Sequence, residues 1–435
     1  MNRSVFLLIA SLICFAAPVW VLAQSAPEHA KEPGPSLSLM TLVQEATERN
    51  PEILAARRAV DAKRARIPQA GAWADPRVSV SYAGNVLPPF TVMRSDPSSM
   101  RQLVAEQTIP YPGKTRLRTQ IASRDADREM LAYEATTRQV IAEIKQAYFE
   151  LYYLSHSLAT LQKDREVLKG LEQVTEVRYA VGKAAQQDVL RAQLELTRLG
   201  QRETMVRHEH HTLQAQINTL RNAPIDAPLA DPADVKPSIF TYTESELLDA
   251  AEKSYPELKQ QHTMVDENRL SVDLARKEER PDFSVGYAYM QRDGMPDMYG
   301  ITISTSLPLF RHRKQDMAIA DAAANLESAR QMETRELTAL RYQVRQDFLA
   351  VRDSEELLKL YTEGIAPQSA LTVQSSLAGY ETGGVDFLSV LSNFQAEVDA
   401  EIDYQRQVAD HEKALARLER ETGLDLIQQG EAHHD

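Results

Sequence analysis

The longest regular pattern in this sequence is a run of apolar residues spaced alternately four and three positions apart. It carries Val140, Ile144, Ala147, Leu151, Leu154, Leu158, Leu161 and Leu168. This spacing is typical of the buried seam of a coiled-coil helix. At 1.5 Å per residue, a helix over about 114–178 would be roughly 95 Å long, more than a compact domain requires. The sequence predicts a second long helix over about 186–221, and a further pair over about 315–378 and 387–421.

Four short segments alternate apolar and polar residues instead, which predicts strands with one apolar face. They lie at about 77–84, 101–109, 282–290 and 299–307, and the second alternates least regularly. Each has about the length that a tilted strand needs to cross a bilayer. The residues predicted to face lipid are Val78, Val80, Tyr82, Phe283, Val285, Tyr287, Ile301 and Ile303. Four strands cannot close a membrane barrel, so several copies must pool theirs.

The chain is internally duplicated. The stretch that begins "NPEILAARRAV" at Asn50 aligns without a gap on the one that begins "YPELKQQHTMV" at Tyr255, and it continues through both first strands. We therefore predict two structural repeats, 24–223 and 243–423, a proline-bearing linker at 224–242 and a tail at 424–435. Each repeat is expected to hold a helix, a strand hairpin and two long helices joined by a tight turn. Ser38 and Thr243 are the expected caps of the two opening helices.

The N-terminus has the features of a secretory signal. Arg3 precedes an apolar run, and Val21 and Ala23 provide the small or apolar residues of a cleavage site, which predicts a signal peptide at 1–23. Its removal would take away Cys14, the only cysteine of the chain. No later apolar run approaches the ~18 residues of a membrane-spanning helix.

Charge and composition argue against a nucleic-acid-binding protein and against one large globular core. The chain has 49 basic and 62 acidic residues and a formal net charge of -13, which argues against a nucleic-acid partner. With 43% hydrophobic and only 6% aromatic residues, the composition suits long amphipathic helices better than one large globular core.

The segment "TIPYPGKTRL" ends in the Gly-Lys-Thr of a phosphate-binding loop. Such a loop needs an earlier glycine and free backbone N–H groups, but Thr108 occupies the glycine position, and Pro110 and Pro112 remove two donors. The segment is therefore predicted to form a corner between a strand and a helix, with Lys114 solvated at the start of the helix. No nucleotide cofactor is expected.

Three histidines, His208, His210 and His211, invite comparison with a transition-metal site, and two of them share a helical face. No carboxylate or thiol completes a compact set of ligands, so we predict a polar patch on an exposed helix and no metal site. The sequence also lacks the common motifs of hydrolases and metalloenzymes. We therefore predict that the protein is not an enzyme and binds no cofactor.

The ordered elements, their duplication and the paired Tyr-x-x-Gly turns at Tyr179 and Tyr380 resemble the TolC-like family of outer-membrane efflux proteins. The resemblance implies a mostly α protein with a membrane β-barrel portion. A homotrimer would form a twelve-stranded barrel in outer-membrane lipid and a long α-helical barrel across the periplasm. It also implies a passive exit duct, engaged at its periplasmic tips by an adaptor protein and an inner-membrane pump of the resistance-nodulation-division type. The implied tip residues are Tyr179, Gly182, Asp188, Leu190, Tyr380, Gly383, Gly384 and Leu391.

The resemblance also implies a latch and a constriction at the tip. In the family, a tyrosine and an aspartate at the positions of Tyr380 and Asp188 tie helices together, beside an arginine whose position holds Val385 here. Two carboxylates that narrow the pore in relatives are replaced by Ser389 and Ser392. Asp386 lies just before them and is the remaining acidic candidate for the constriction.

The cargo is not specified by the sequence. Metal cations or small toxic compounds are the expected cargo, and the outer-membrane role in type I protein secretion is the alternative. A soluble periplasmic coiled-coil scaffold is the alternative from another class, and a phosphate-loop enzyme is a third.

Overall fold

The computed structural model describes residues 37–84, 92, 96 and 98–427. The predicted signal peptide at 1–23, with Cys14, lies outside the described residues, as do residues 428–435 of the predicted tail. Within this part of the chain, no helix is both long enough and apolar enough to span a membrane.

The two halves contain the same kinds of element in the same order. The first half holds α1 (Leu39–Arg49), α2 (Pro51–Gly71), β1 (Arg77–Ala83), β2 (Met100–Ile109), α3 (Lys114–Ala180) and α4 (Gln186–Leu220). The second holds α5 (Glu244–Ser254), α6 (Pro256–Lys277), β3 (Phe283–Gln291), β4 (Met298–Thr305), α7 (Gln315–Leu360), α8 (Ala366–Thr382) and α9 (Phe387–Thr422). A π-helical turn at Tyr361–Ile365 joins α7 to α8 just before Pro367, whose missing N–H interrupts the helical hydrogen bonds.

The prediction of one opening helix in each half was wrong, because each of these helices is broken in two. The break falls at Asn50 and at Tyr255, where ψ is 124° and 116°. Both residues precede a proline, whose ring disfavours the helical conformation at the preceding position. Asn50 then caps the second helix by accepting hydrogen bonds from the N–H groups of Glu52 and Ile53. Ser38 makes no capping side-chain bond, whereas Thr243 forms the expected capping box with Glu246.

The four strands form one antiparallel sheet in the order β1-β2-β3-β4. The pairing of β2 with β3 joins the two halves, with Leu103 opposite Tyr289 and Ala105 opposite Tyr287. The register keeps one set of side chains on one face across all four strands. This set includes the following residues: Val78, Val80, Tyr82, Leu103, Phe283, Val285, Tyr287, Tyr289, Tyr299, Ile301 and Ile303. The opposite face carries mainly serine, threonine, glycine and alanine.

The helices continue the sheet as a row of similar width. Next to the sheet, α2 packs on α3, α3 on α6, and α6 on α7. Farther from the sheet, α4 packs on α3, α3 on α9, and α9 on both α7 and α8. One protomer is therefore a strip, with α2, β1 and α4 along one side and α7, β4 and α8 along the other. In the described residues, β1 and β4 each pair with one neighbouring strand only.

The seam predicted along α3 forms much of the core. All of its residues except Leu158 are buried, and Ile144, Leu151 and Leu168 are completely inaccessible to solvent. Helix α9 contributes a second stripe to the same cluster, including Val390, Leu415 and Leu418.

The linker that joins the halves is fixed on α9 and α7 by buried polar contacts. The Glu412 carboxylate accepts hydrogen bonds from Ser238 N–H at 2.6 Å and from Ser238 Oγ at 3.0 Å. Nε2 of His411 lies 3.0 Å from the carbonyl oxygen of Ser238, and its Nδ1 lies 2.9 Å from Oγ of Ser354. Burial raises the pKa of Glu412 to about 7, in spite of its hydrogen bonds. Each of these buried polar groups is thus paired, as such groups generally must be.

The corner around Lys114 differs from the prediction that this residue is solvated. Lys114 is only 2% exposed, and its Nζ lies 2.8 Å from Glu278 and 2.9 Å from Asp282. The Asp282 carboxylate also accepts the Tyr111 N–H at 2.7 Å. Lys114 is buried because α3 begins in the middle of the strip, where α6 and the start of β3 cover it. The lysine therefore ties the first half to the second.

Replacing Lys114 by Met should remove this tie while keeping most of the buried volume. Breaking a fully buried ion pair costs about 3–5 kcal/mol, but Glu278 and Asp282 are 39% and 31% exposed and regain some solvation. We therefore expect the free energy of unfolding to fall by about 2 kcal/mol, less than for a fully buried pair, because water can solvate the two carboxylates. Chemical unfolding followed by circular dichroism would measure the change. The exposed lysine Lys359 on α7 provides the control, Lys359→Met, which should leave the unfolding midpoint unchanged.

The difference between wild type and Lys114→Met should depend on pH. Burial opposes ionisation of both groups, but their hydrogen bonds outweigh it, so the pKa of Asp282 is lowered and that of Lys114 is raised. A carboxyl group with a lowered pKa stabilises the fold at pH values above its ordinary pKa, and this stabilisation is lost as the pH falls through the lowered pKa. A lysine with a raised pKa stabilises the fold at pH values below its ordinary pKa, and this stabilisation is lost as the pH rises through the raised pKa. The stability difference should thus persist between the ordinary pKa values of Asp and Lys and shrink in acid. A difference that is constant down to strongly acidic pH would contradict this assignment.

Candidate functional site at the helical tip

Two tight turns lie together at the end of the strip far from the sheet. One joins α3 to α4 through residues 181–185, and the other joins α8 to α9 through residues 383–386. Gly182 and Gly383 adopt φ values of 73° and 82°, in the left-handed region that glycine tolerates without strain. In both turns, main-chain hydrogen bonds close the end of the incoming helix, such as Lys183 N–H to Arg178 O at 2.8 Å and Gly384 N–H to Gly379 O at 2.9 Å.

The outgoing helices are capped by carboxylates from different positions. At the start of α4, the Asp188 carboxylate accepts the Ala185 N–H at 3.3 Å. At the start of α9, the Asp386 carboxylate accepts the Ser389 N–H at 3.1 Å. Hydrogen bonds from Ser389 lower the pKa of Asp386 below its usual value, which keeps this carboxylate ionised at neutral pH. Each turn thus presents one negative charge beside a positive helix N-terminus.

Arg178 joins the two turns. Its guanidinium carbon lies 4.4 Å from the centre of the Tyr380 ring, and its Nη1 donates a 2.8 Å hydrogen bond to the Tyr380 carbonyl oxygen. The ring of Phe387 packs edge-on against Tyr380, with the ring centres 5.9 Å apart. Tyr380 is therefore held from α3 and from α9 at once. A cation over an aromatic face is worth about 0.5–2 kcal/mol, depending on how far it is desolvated.

The predicted latch between Tyr380 and Asp188 is not formed within one chain. The Tyr380 hydroxyl is buried and has no hydrogen-bond partner among the described residues, and Asp188 is engaged as a helix cap. Arg178 is the arginine beside the tyrosine, and the sequence reasoning missed it. It directly precedes Tyr179 near the end of α3, and only the packing of α9 against both α3 and α8 brings it to Tyr380.

The other predicted tip residues divide into exposed and buried sets. Tyr179 and Leu190 are exposed, whereas Tyr380 and Leu391 are only 5% exposed. The last two therefore shape the tip from within, and our interpretation of them as surface docking residues is corrected in this respect. Val385 packs over Gly379, where an added Cβ would lie 2.5 Å from a Val385 methyl group. Asp386, Ser389 and Ser392 are all exposed on one protomer.

The two turns enclose a charged cleft of about 630 Å³. Its walls carry three basic side chains, Arg178, Lys183 and Arg191, and two acidic side chains, Asp188 and Asp386.

The sequence predicted an exposed polar patch for the histidine segment of α4, but one of its three histidines is buried. His210 is buried and lies 3.1 Å from both the Ser155 hydroxyl and the Asp231 carboxylate. It thereby fixes the linker on α3 and α4. The described residues contain no group of three or more His, Cys, Asp or Glu side chains arranged to hold a metal ion.

Comparison with known proteins agrees with this architecture. The family model described as outer membrane efflux protein matches residues 42–223 and 247–419, which is most of the chain. The chain belongs to the outer membrane efflux protein family. The resemblance inferred from the duplicated elements is thus confirmed, as is the mostly α fold with a small sheet. No protein of curated function matches the sequence.

Solved structures of outer-membrane channels share the fold of this family member. The channel OprN is 18% identical, with a TM-score of 0.77 over 88% of this chain and 89% of its own. VceC of Vibrio cholerae is 16% identical, with a TM-score of 0.76 over 88% and 96% of the two chains. CmeC of Campylobacter jejuni is 15% identical, with a TM-score of 0.76 over 92% and 90%. At these identities, the likeness concerns the fold alone.

The contact of Arg178 with Tyr380 predicts that Arg178→Met will loosen the two turns. Methionine keeps much of the apolar length of the side chain but removes the charge and the hydrogen-bond donors. A loss of about 1–2 kcal/mol should raise the population of separated turns roughly 5–30-fold. Spin labels at Lys183→Cys and Glu381→Cys would report this as a longer and broader distance distribution.

The matched control is Arg198→Met on α4, where the arginine is exposed and forms a local pair with Glu195. It should leave the distance distribution of the labels unchanged. Equal distributions in wild type and Arg178→Met would show that the arginine does not hold the turns together.

Proposed function

We propose that this protein is the exit duct of a tripartite efflux system. Three copies form a passive channel in the bacterial outer membrane. A periplasmic adaptor and an inner-membrane pump of the resistance-nodulation-division type engage its tips and provide the driving force. Membership of the outer membrane efflux protein family supports this proposal. The observation that carries it is the sheet, which has one apolar face and two edges without a strand partner in the described part of the chain.

The apolar face of the sheet fits lipid. Val80, Ile301 and Ile303 are 66%, 77% and 73% exposed in one protomer, which is unusual for such large apolar side chains unless another apolar phase covers them. Tyr82, Tyr289 and Tyr299 lie on the same face near the ends of the strands farthest from the helices. Tyrosine at that position suits the boundary between lipid and water. The opposite face, with small and hydroxyl side chains, suits a water-filled lumen.

The unpaired edges favour closure by further copies. In lipid, an open strand edge would leave N–H and C=O groups without partners, which costs several kcal/mol per group. The two sides of one strip differ, so pairing of β1 in one copy with β4 in the next is a heterologous contact, which forms a closed ring when the rotation between copies divides a full turn. Three strips of four strands give the twelve strands that the family resemblance implies.

Efflux cargo of the metal-cation or small toxic-compound class remains part of the proposal. The histidine segment does not favour metal cations over other cargo, because His210 is engaged with Ser155 and the linker residue Asp231. Support for partner engagement comes from the tip, where exposed Tyr179 and Leu190 flank the charged cleft.

Val285→Arg tests the lipid-facing assignment. Val285 is the third of the nine residues of β3 and lies opposite Ile303, and an arginine that faces lipid should cost about 2–4 kcal/mol at the bilayer midplane and less towards its surface. We expect less protein in outer-membrane fractions and a lower temperature for dissociation of the oligomer. The control is Ser304→Arg on the opposite face of β4, which should assemble normally because its side chain would enter water. Normal assembly of both variants, or failure of both alike, would oppose the assigned faces.

A test of the constriction uses the serines that replace carboxylates. A ring of carboxylates concentrates cations and can hold a multivalent one strongly enough to block a pore, whereas hydroxyl groups bind it weakly. If Ser389 and Ser392 line the narrowest part, the wild-type channel in a planar bilayer should resist block by a trivalent cation added from the periplasmic side. The double variant Ser389→Asp, Ser392→Asp should be blocked strongly.

Asp386 provides the competing possibility and the control. It is exposed and ionised and lies one turn before Ser389. Asp386→Asn retains a good capping residue but removes the charge. Strong block of the wild-type channel that Asp386→Asn abolishes would assign the acidic ring to Asp386. Weak block in all variants would remove this segment from the constriction.

A further inference from the structure

An exposed groove with apolar and charged walls lies at the corner where β4 passes into α7. Leu307, Leu309 and Phe310 are 70%, 81% and 76% exposed, which makes this one of the most exposed apolar segments of the described chain. Together with Glu278, Asp282 and the start of α7, they line a groove of about 430 Å³. The basic run from Arg311 to Lys314 follows directly and is also exposed.

A complementary segment lies at the same level on the other side of the strip. There the chain passes from α2 into β1 through the sequence "AWADP", residues 72–76. Trp73 is 55% exposed, and Asp75 is exposed two residues later. One side of the protomer thus offers an aromatic and an acidic side chain, and the other offers a groove with apolar and charged walls and a basic rim.

We propose that Trp73 of one copy inserts into the groove formed by Leu309 and Phe310 of the next copy, with Asp75 against Arg313 and Lys314. This inference rests on the proposed ring of three copies. In such a ring, β1 lies next to the neighbour's β4 in the sheet, and α2 lies next to the neighbour's α7 in the adjoining helices. The α2–β1 corner must then lie beside the neighbour's β4–α7 corner.

The inner wall of the groove argues for a protein occupant and not for lipid. Glu278 and Asp282, which pair with Lys114, line the groove together with the apolar residues. Hydrocarbon chains offer these charged groups no partner, whereas an indole combines an apolar body with one N–H donor. The opposite charges at the two rims also orient the approach of one copy to the next.

Paired cysteines test the contact directly. The chain has one natural cysteine, Cys14, within the predicted signal peptide, so the mature chain offers a clean background. Trp73→Cys combined with Phe310→Cys should give covalent dimers and trimers on mild oxidation, whereas either change alone should give monomers on a denaturing gel. The control pair is Trp73→Cys with Leu371→Cys, since Leu371 is exposed on α8 far from the sheet.

The same samples distinguish the two proposals. A native mass of three chains without disulfide-linked species would overturn the contact at the corner and leave the proposed ring intact. A native mass of a single chain would overturn the ring, and the contact with it. Cross-linking in the control pair as efficiently as in the test pair would also overturn the contact.

Fluorescence distinguishes the neighbouring copy from lipid without cysteines. The chain has two tryptophans, and removal of residues 1–23 takes away Trp20, so Trp73 is the only one in the mature protein. In vesicles, we expect short-wavelength emission that brominated phosphatidylcholine quenches little. Phe310→Ala should move the emission to longer wavelength, whereas Ile301→Ala on the lipid-facing strand should not. Strong quenching by brominated lipid would assign Trp73 to the bilayer and overturn the proposal.

Discussion

The incomplete packing of a single chain is the constraint on which the rest of this structure depends. A strip four elements wide cannot bury both faces of its sheet, and among the residues that the structure describes no strand pairs with the outer edges of β1 and β4. The helices show the same deficit, since α7 and α8 expose Tyr342, Leu360 and Leu371 along one side of the strip. In the proposed ring, lipid would cover one face of the sheet and other copies would cover the sides of the strip, which would lower the free energy of the chain. The fold of the protomer and its assembly are therefore one physical problem.

The junction between sheet and helices shows how position in the strip determines the role of a residue. Both halves have a proline-bearing corner between a strand and a long helix, with Pro110 in the first and Pro308 in the second. The first corner lies in the middle of the strip, so Lys114 is buried and requires two carboxylates. The second lies at the side, where Arg311 is half exposed and pairs with Glu279 and Asp316 at the surface. The central corner joins the halves, and the lateral corner faces outward.

Much of this architecture could be predicted from the sequence because its signals are local and periodic. The four-and-three spacing along α3 and the alternation along β3 and β4 depend only on which side of one element is buried. Duplication then supplied the order of elements. The signals that failed depend on neighbours distant in the sequence. The burial of Lys114 depends on α6, and that of His210 on the linker, so neither follows from the residues next to them.

The tip illustrates the same limit, because the contact of Arg178 with Tyr380 joins residues from the two repeats. Alignment of the turns correctly paired Tyr179 with Tyr380, yet one ring is 45% exposed and the other 5%. Their surroundings differ, since Arg178 and Phe387 cover only Tyr380. A residue's counterpart in the other repeat therefore indicates its place in the fold but not its contacts.

The difference between the two turns affects how a partner protein would recognise the tips. If two turns per chain were equivalent, a ring of three copies would present six like sites. The structure instead gives one turn with an exposed tyrosine and a carboxylate in the first turn of the helix, at Asp188. The other has a buried tyrosine and a carboxylate at the cap, at Asp386. A ring would thus present two sets of three sites that differ in charge position and apolar exposure. A partner that recognises side chains would bind each set with a different affinity, because affinity depends on such local complementarity. In the proposed channel, duplication would thus provide the shape of the tunnel, while divergence between the repeats would provide distinct docking surfaces on it.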